Sequence, residues 1–112
     1  MIIKKSERKK HANTSSCIAY EYGHKDEDID VAFIEIRGRY PEKGRVVSKV
    51  SKEMIFISKG NGKIEIGGEE ISLSEGDAIL ILPNQKYFFE GELDLVFSCN
   101  PSWNPENYEN VD

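Results

Sequence analysis

Few side chains in this sequence are suited to chemistry, and those few are scattered. Its two histidines, His11 and His24, both lie near the start, and its two cysteines, Cys17 and Cys99, lie near opposite ends. A nucleophilic thiol needs a depressed pKa, and no histidine neighbours Cys99 along the chain. Cys99 is expected to behave as a small hydrophobe on a strand, although it could face a cavity. Nothing in the sequence points to an oxidising compartment, so a disulfide between the cysteines is not expected. The carboxylates of Gly23 to Asp30 lack the spacing and turn glycine of a calcium loop and read as a solvated connection. Tyr20, Tyr22, Tyr40 and Trp103 could stack on a sugar ring, a role that competes with core packing. One carboxylate stands apart. Glu53 heads the run Met54-Ile55-Phe56-Ile57, and period-two geometry places Glu53, Ile55 and Ile57 on one face, with Met54 and Phe56 on the other.

The elements that must position these residues are short and β-rich. Ser16 to Tyr22 and Val31 to Tyr40 are β-branched and aromatic strands, with Gly38 marking a bulge or a close backbone approach. Pro41 to Gly44 is a turn, and Arg45 to Val50 leads into the strand of Glu53. Gly60-Asn61-Gly62 reads as a tight hairpin. Lys63 to Ile66 alternates, Gly67-Gly68 turns the chain, and Ile71 to Leu73 alternates again. Glu75-Gly76-Asp77 turns into Ala78 to Leu82, which is apolar throughout and expected to be buried on both faces. Lys86 to Glu90 and Leu93 to Cys99 read as two strands separated by Glu90-Gly91-Glu92. The tail is rich in Pro and Asn, with one helical turn expected after Pro105 under an Asn104 cap.

At 112 residues the chain is a single domain. An apolar fraction of 38% and a charged fraction of 31% suit a globular protein rather than a disordered one. The net charge of −5 argues against nonspecific nucleic-acid binding. No apolar run is long enough to span a membrane, and charge follows Met1-Ile2-Ile3 at once, so no signal segment is expected. These features lead us to expect a cytoplasmic protein. Residues 1–15 form a basic segment with Lys4, Lys5, Arg8, Lys9, Lys10 and His11, expected to be solvated and partly ordered. The remainder, 16–112, is the folded domain.

About nine short antiparallel strands without helices point to an all-β jelly-roll barrel. The stretch from Glu53 onward resembles the cupin superfamily, whose fold is a double-stranded β-helix. That superfamily's first motif ends in Glu, six residues, Gly, which Glu53 and Gly60 match. Its second begins Gly-Asp, runs through an apolar strand to a Pro-containing turn, and ends on His. Gly76-Asp77, the strand to Leu82, and Pro83 follow this pattern, but Tyr87 stands where the histidine would be. The close, Phe97 to Glu106, is also similar to the end of many small cupins. The resemblance spans roughly residues 31–108.

A metal-binding cupin uses two histidines and the glutamate of the first motif with the histidine of the second, because neutral imidazole binds divalent transition metals well. The resemblance places these positions on Val46 and Ser48 (or Val47 and Lys49), Glu53 and Tyr87. Only the glutamate is kept, so no tightly bound metal and no cofactor are expected. The resemblance further implies that Glu53 points into the barrel with Ile55. A carboxylate there must find a donor or be neutralised, and Tyr87, Lys49 and Arg39 are the candidates.

Two functional readings follow. In the first, the cavity binds a small polar or anionic ligand, a sugar or small organic acid, through Glu53, Tyr87, Arg39, Lys49, Ile55 and Cys99. In the second, the protein is a metal-independent isomerase, epimerase or lyase with Glu53 and Tyr87 as acid–base groups. Some metal-free cupins pair a histidine base with a tyrosine acid. Tyr87 suits the acid, while both histidines lie outside the motifs. The apolar Met54 and Phe56 face needs a cover, either the N-terminal strand or a second copy in a homodimer.

Overall fold

Alternating and β-branched stretches separated by glycine turns leave this chain little choice but strand, and the computed structural model, which describes residues 1–112, contains nine of them. They are β1 (Lys9–Thr14), β2 (Cys17–Glu21), β3 (Ala32–Tyr40), β4 (Arg45–Ser48), β5 (Lys52–Ile66), β6 (Glu69–Ser74), β7 (Ala78–Ile81), β8 (Tyr87–Asn100) and β9 (Tyr108–Val111). Single 3-10 turns occur at Lys5–Glu7 and Pro105–Asn107. The second is capped as expected, with Asn104 Oδ1 accepting from the Glu106 amide at 3.0 Å. No helix is long and apolar enough to cross a membrane.

All pairings are antiparallel, and the strands form one curled sheet. One path runs β1, β2, β3, β8, β4, β9, while β5 pairs with β6, β7 and β8. This is the all-β jelly roll anticipated from the strand rhythm. Its core joins Ile36, Ile55, Ile57, Ile64, Leu93 and Leu95 from three strands, β3, β5 and β8, each at most 1% exposed.

Two of the expected hairpins are absent. Gly60-Asn61-Gly62 lies inside β5 and Gly91 lies inside β8, so each is one long strand rather than two short ones. The reason is a row of glycines. Gly38 pairs with Gly91 across β3 and β8, and Gly91 pairs with Gly62 across β8 and β5. A Cβ on Gly91 would sit 2.5 Å from the Gly62 Cα, and Gly91 has φ 133°. The bare backbones let two long strands bend together over the core, which a hairpin would not require.

β7 also departs from expectation. Ile81 is buried, but Leu80 is 51% and Leu82 44% exposed. β7 pairs only with β5 and lies at a sheet edge, so its outer face has no cover. Met54 (51% exposed) pairs with Leu80, and Phe56 (47%) with Ala78, which extends that apolar face onto β5. The N-terminal strand does not cover it. Residues 9–14 of the basic segment instead form β1 against β2, and the Arg8 guanidinium lies 4.6 Å from the Tyr20 ring centre.

Candidate functional site

Strand alternation decides which residues face inward. On β8 the inward set includes Tyr87, Phe89, Leu95 and Phe97; on β3 it is Ala32, Ile34 and Ile36; on β2, Cys17, Ala19 and Glu21. Register places His11 of β1 opposite Ala19, Ala19 opposite Ile34, and Ile34 opposite Leu95. The inward row thus passes from polar at β1 to apolar at β8. Together with Asp30, Tyr40, Val46, Trp103 and Tyr108, these strands enclose a cavity of about 360 Å³. That size is typical of small-molecule sites, which are mostly apolar with a few placed polar groups.

Glu53 lies behind this cavity. It is 0% exposed, packed on the inner face with Ile55 and Ile57, and it is not part of the cavity wall. Neither carboxylate oxygen meets a donor in good hydrogen-bonding geometry. Burial pushes its pKa from 4.5 up to about 7; the adjacent Tyr87 phenol eases the shift and the Asp30 charge adds to it. Tyr87, which does line the cavity, is 2% exposed and packs edge-on against Phe89 with ring centres 5.6 Å apart. Burial first, and then the Glu53 charge, drive its pKa well above that of a free phenol. Tyr40, also in the wall, is pushed up to about 12 by burial, with smaller contributions from Cys17 and Glu53. Glu53 is thus a carboxyl of raised pKa behind two phenols that keep their protons and can donate hydrogen bonds.

The remaining expected residues are placed differently. Ile55 is core, and Cys99 is buried with its thiol 3.7 Å from the Tyr108 hydroxyl. Burial raises the Cys99 thiol pKa, and nearby Asp30 and Glu53 raise it further, which leaves no thiolate for nucleophilic work. Arg39 is turned outward. Its guanidinium donates to the carbonyls of Pro41 (2.6 Å) and Gly44 (2.9 Å) and lies 3.9 Å from the Phe88 ring centre. Lys49 pairs with Glu109 at 2.6 Å on the surface. No lysine or arginine lines the cavity.

Two contributors were not legible in the sequence. His11 lies in a run of lysines that hides the strand alternation, so β1 reads as a solvated tail. Asp30 closes an acidic loop, yet its carboxylate accepts from the Cys99 amide at 3.0 Å and the Trp103 amide at 2.7 Å. It ties the loop before β3 to the tail after β8, and only the tertiary fold supplies those donors. Trp103 is held at the rim, 42% exposed and tilted against Tyr108 with ring centres 5.8 Å apart.

The metal positions of the cupin motifs fall on Val46, Ser48, Glu53 and Tyr87. One buried carboxyl, one hydroxyl and one phenol do not fit a divalent transition metal, and no group of three His, Cys, Asp or Glu converges elsewhere.

A model of the AraC-like ligand binding domain matches residues 30–98. The chain belongs to that family. No curated protein matches the sequence. Among solved structures it is similar to Pac13, described as a unique nucleoside dehydratase, with 17% identity, a TM-score of 0.90, and coverage of 99% of this chain and 90% of that one. Variants of Streptomyces Pac13 with uridine superpose equally well. KdgF from Halomonas sp. shares 15% identity at a TM-score of 0.77, over 95% of this chain and 99% of its own. An RmlC-like cupin from Shewanella frigidimarina shares 11% at 0.77, over 92% of both chains. At these identities the likeness shows the fold, a small cupin barrel. The family segment excludes β1, β2 and β9, which carry His11, Glu21 and Tyr108 into the cavity wall.

Proposed function

We propose that the protein binds a small polar, hydroxyl-bearing molecule inside the barrel. The observation that carries this reading is the cavity of about 360 Å³ with an apolar floor and a polar rim, backed by a buried carboxyl whose neighbouring donor is the Tyr87 phenol. A buried carboxyl is costly unless a proton or a neighbouring donor satisfies it, and here that donor, Tyr87, is the group a ligand would meet. Tyr87 and Tyr40 offer hydroxyls to the ligand, while Trp103 and Tyr108 offer a face to a ring. Membership of a ligand-binding family supports the reading. So does the similarity to a protein crystallised with uridine, a neutral ring compound rich in hydroxyls. The test is ligand-observed NMR with free sugars and nucleosides, followed by titration of any hit against Tyr87→Phe. Absence of any hit would sink the proposal, as would hits that bind this variant as well as the parent chain and so lie outside the barrel wall that Tyr87 forms.

A second reading is favoured by His11. It brings a histidine into the cavity that Tyr87 lines, so a base and an acid stand at one site. On this reading the protein is a metal-independent isomerase, epimerase or lyase, with His11 removing a proton and Tyr87, relayed to Glu53, returning or donating one. Analysis of any bound ligand for chemical change after prolonged incubation separates the two readings.

We further propose that the apolar face of Met54, Phe56 and Leu80 is covered by a second copy of the chain. Three half-exposed apolar side chains on one face, beside the free edge of β7, support that arrangement.

A further inference from the structure

We infer that the cavity discriminates by charge, taking uncharged or cationic ring compounds and rejecting their phosphate and carboxylate forms. This rests on the binding reading above and narrows it to a substrate class.

Charge is unevenly distributed around the wall. Glu21 of β2, Asp30 before β3, and Glu109 of β9 all line the cavity; His11 is the one basic side chain in the wall, and no lysine or arginine joins it. Glu109 is compensated by Lys49 at 2.6 Å. Asp30 is not compensated by a cation. Its two oxygens are held by backbone amides of Cys99 and Trp103, which fix the carboxylate in place without cancelling its charge. Glu21 carries no ion pair, although Lys9 lies opposite it in the ladder. The nearest guanidinium candidate, Arg39, is committed to two carbonyls and the Phe88 ring on the outside. Anion sites use arginine forks, lysine ammonium groups or helix N-termini. None of these faces this cavity, and both helical segments are single 3-10 turns.

Shape reinforces the selection. A phosphate carried into the barrel would pass the Glu21 and Glu109 carboxylates at the rim and meet the Asp30 carboxylate held by two amides, with no lysine or arginine to offset them. A neutral ring would meet the tilted Trp103 and Tyr108 at the rim and phenolic hydroxyls within, and a cation would gain from both carboxylates and aromatic faces. The selecting groups lie largely outside the family segment of residues 30–98, on β2 and in the tail, so other members of this family need not share the preference.

The test is a matched panel observed by saturation-transfer NMR on the full chain. It comprises uridine, adenosine, arabinose and glucose, each beside its monophosphate, with glucuronic acid and glucosamine added. The expected result is that binders come from the neutral and amino compounds, with each phosphate at least tenfold weaker than its parent. Glu21→Gln, which keeps size and fold, should narrow that gap. Phosphates binding as tightly as their parents would overturn the charge selection and leave the binding reading standing. Absence of binding by every compound in every charge class would overturn the binding reading, and this inference with it.

Discussion

Tyr87 stands between Glu53 and the cavity: the phenol forms part of the wall, and the carboxyl lies buried behind it with neither oxygen partnered. Any influence Glu53 has on a ligand therefore passes through the Tyr87 hydroxyl. In metal-binding relatives of the fold, the resemblance assigns this glutamate to a metal. Here its neighbours make it a buried acid.

The first prediction concerns pH and stability. Burial raises the Glu53 pKa from 4.5 to about 7. Between these values the folded state holds a proton that the unfolded chain has released, so the slope of unfolding free energy with pH is negative. The contribution is complete below the unfolded value, is lost as pH rises to about 7, and is flat beyond. The full span corresponds to about 3 kcal/mol. Thermal melts should show Tm falling between pH 5 and 7.5. Glu53→Gln should flatten that limb and raise Tm at pH 8. An unchanged slope in the variant would mean that Glu53 does not titrate in this range.

Removing the Tyr87 hydroxyl separates wall from backing. Tyr87→Phe preserves the edge-on packing against Phe89 and deletes the neighbour that eases the Glu53 shift. The Glu53 midpoint, followed by its infrared carboxyl band, should move up. Affinity for any ligand found should fall about tenfold, the effect of one lost hydrogen bond of about 1.4 kcal/mol. If the midpoint stays put, the two groups are not coupled.

Much of the fold was legible because alternation and glycine turns are local signals. Gly67-Gly68 and Glu75-Gly76-Asp77 do turn the chain, and Glu53, Ile55 and Ile57 do share the inner face with Met54 and Phe56 outside. The glycines of β5 and β8 read as turns because a glycine at a turn and a glycine pressed against a paired strand look alike in sequence. What tells them apart is a partner about thirty residues away, Gly91 for Gly62. The same limit hid β1, whose alternation is masked by lysines, and Asp30, whose partners are amides of the chain's far end. The half of the site built by local pattern was readable; the half built by closure of the barrel was not.

The glycine row makes its own prediction. Gly91→Ala places a Cβ 2.5 Å from the Gly62 Cα at φ 133°, where backbone rather than a flexible side chain must yield. It should cost about 2 kcal/mol or more in urea unfolding. Gly67→Ala, with open space around its Cβ, tests the conformational penalty alone and should cost less. Equal losses would show that the close approach of the paired strand adds nothing at Gly91.

His11 distinguishes binder from enzyme. It reaches the cavity from an edge strand, and no hydrogen bond holds its ring within the protein, so His11→Gln should fold normally. If the protein only binds, the variant should lose a few-fold in affinity. If it catalyses proton transfer, turnover should fall by about 100-fold or more while binding changes little. A turnover that survives this substitution would remove His11 from the chemistry and leave Tyr87 with Glu53.

The exposed face of β5 and β7 offers the last prediction. Met54 and Leu80 are paired neighbours, each 51% exposed, with Phe56 two residues on at 47%. β7 also has an unpaired edge, so a second copy can meet both the side chains and the free backbone groups there. A stable symmetric interface buries about 1,200–2,000 Å² in total, more than these side chains supply, so it must extend over the flanking Val50 and Leu82, themselves half exposed. Light scattering after size-exclusion chromatography should give twice the chain mass of 12.7 kDa. Phe56→Lys should return the single-chain mass without loss of secondary structure, because the residue is not part of the core. A parent chain that runs at single-chain mass at every concentration would leave this face to some other partner.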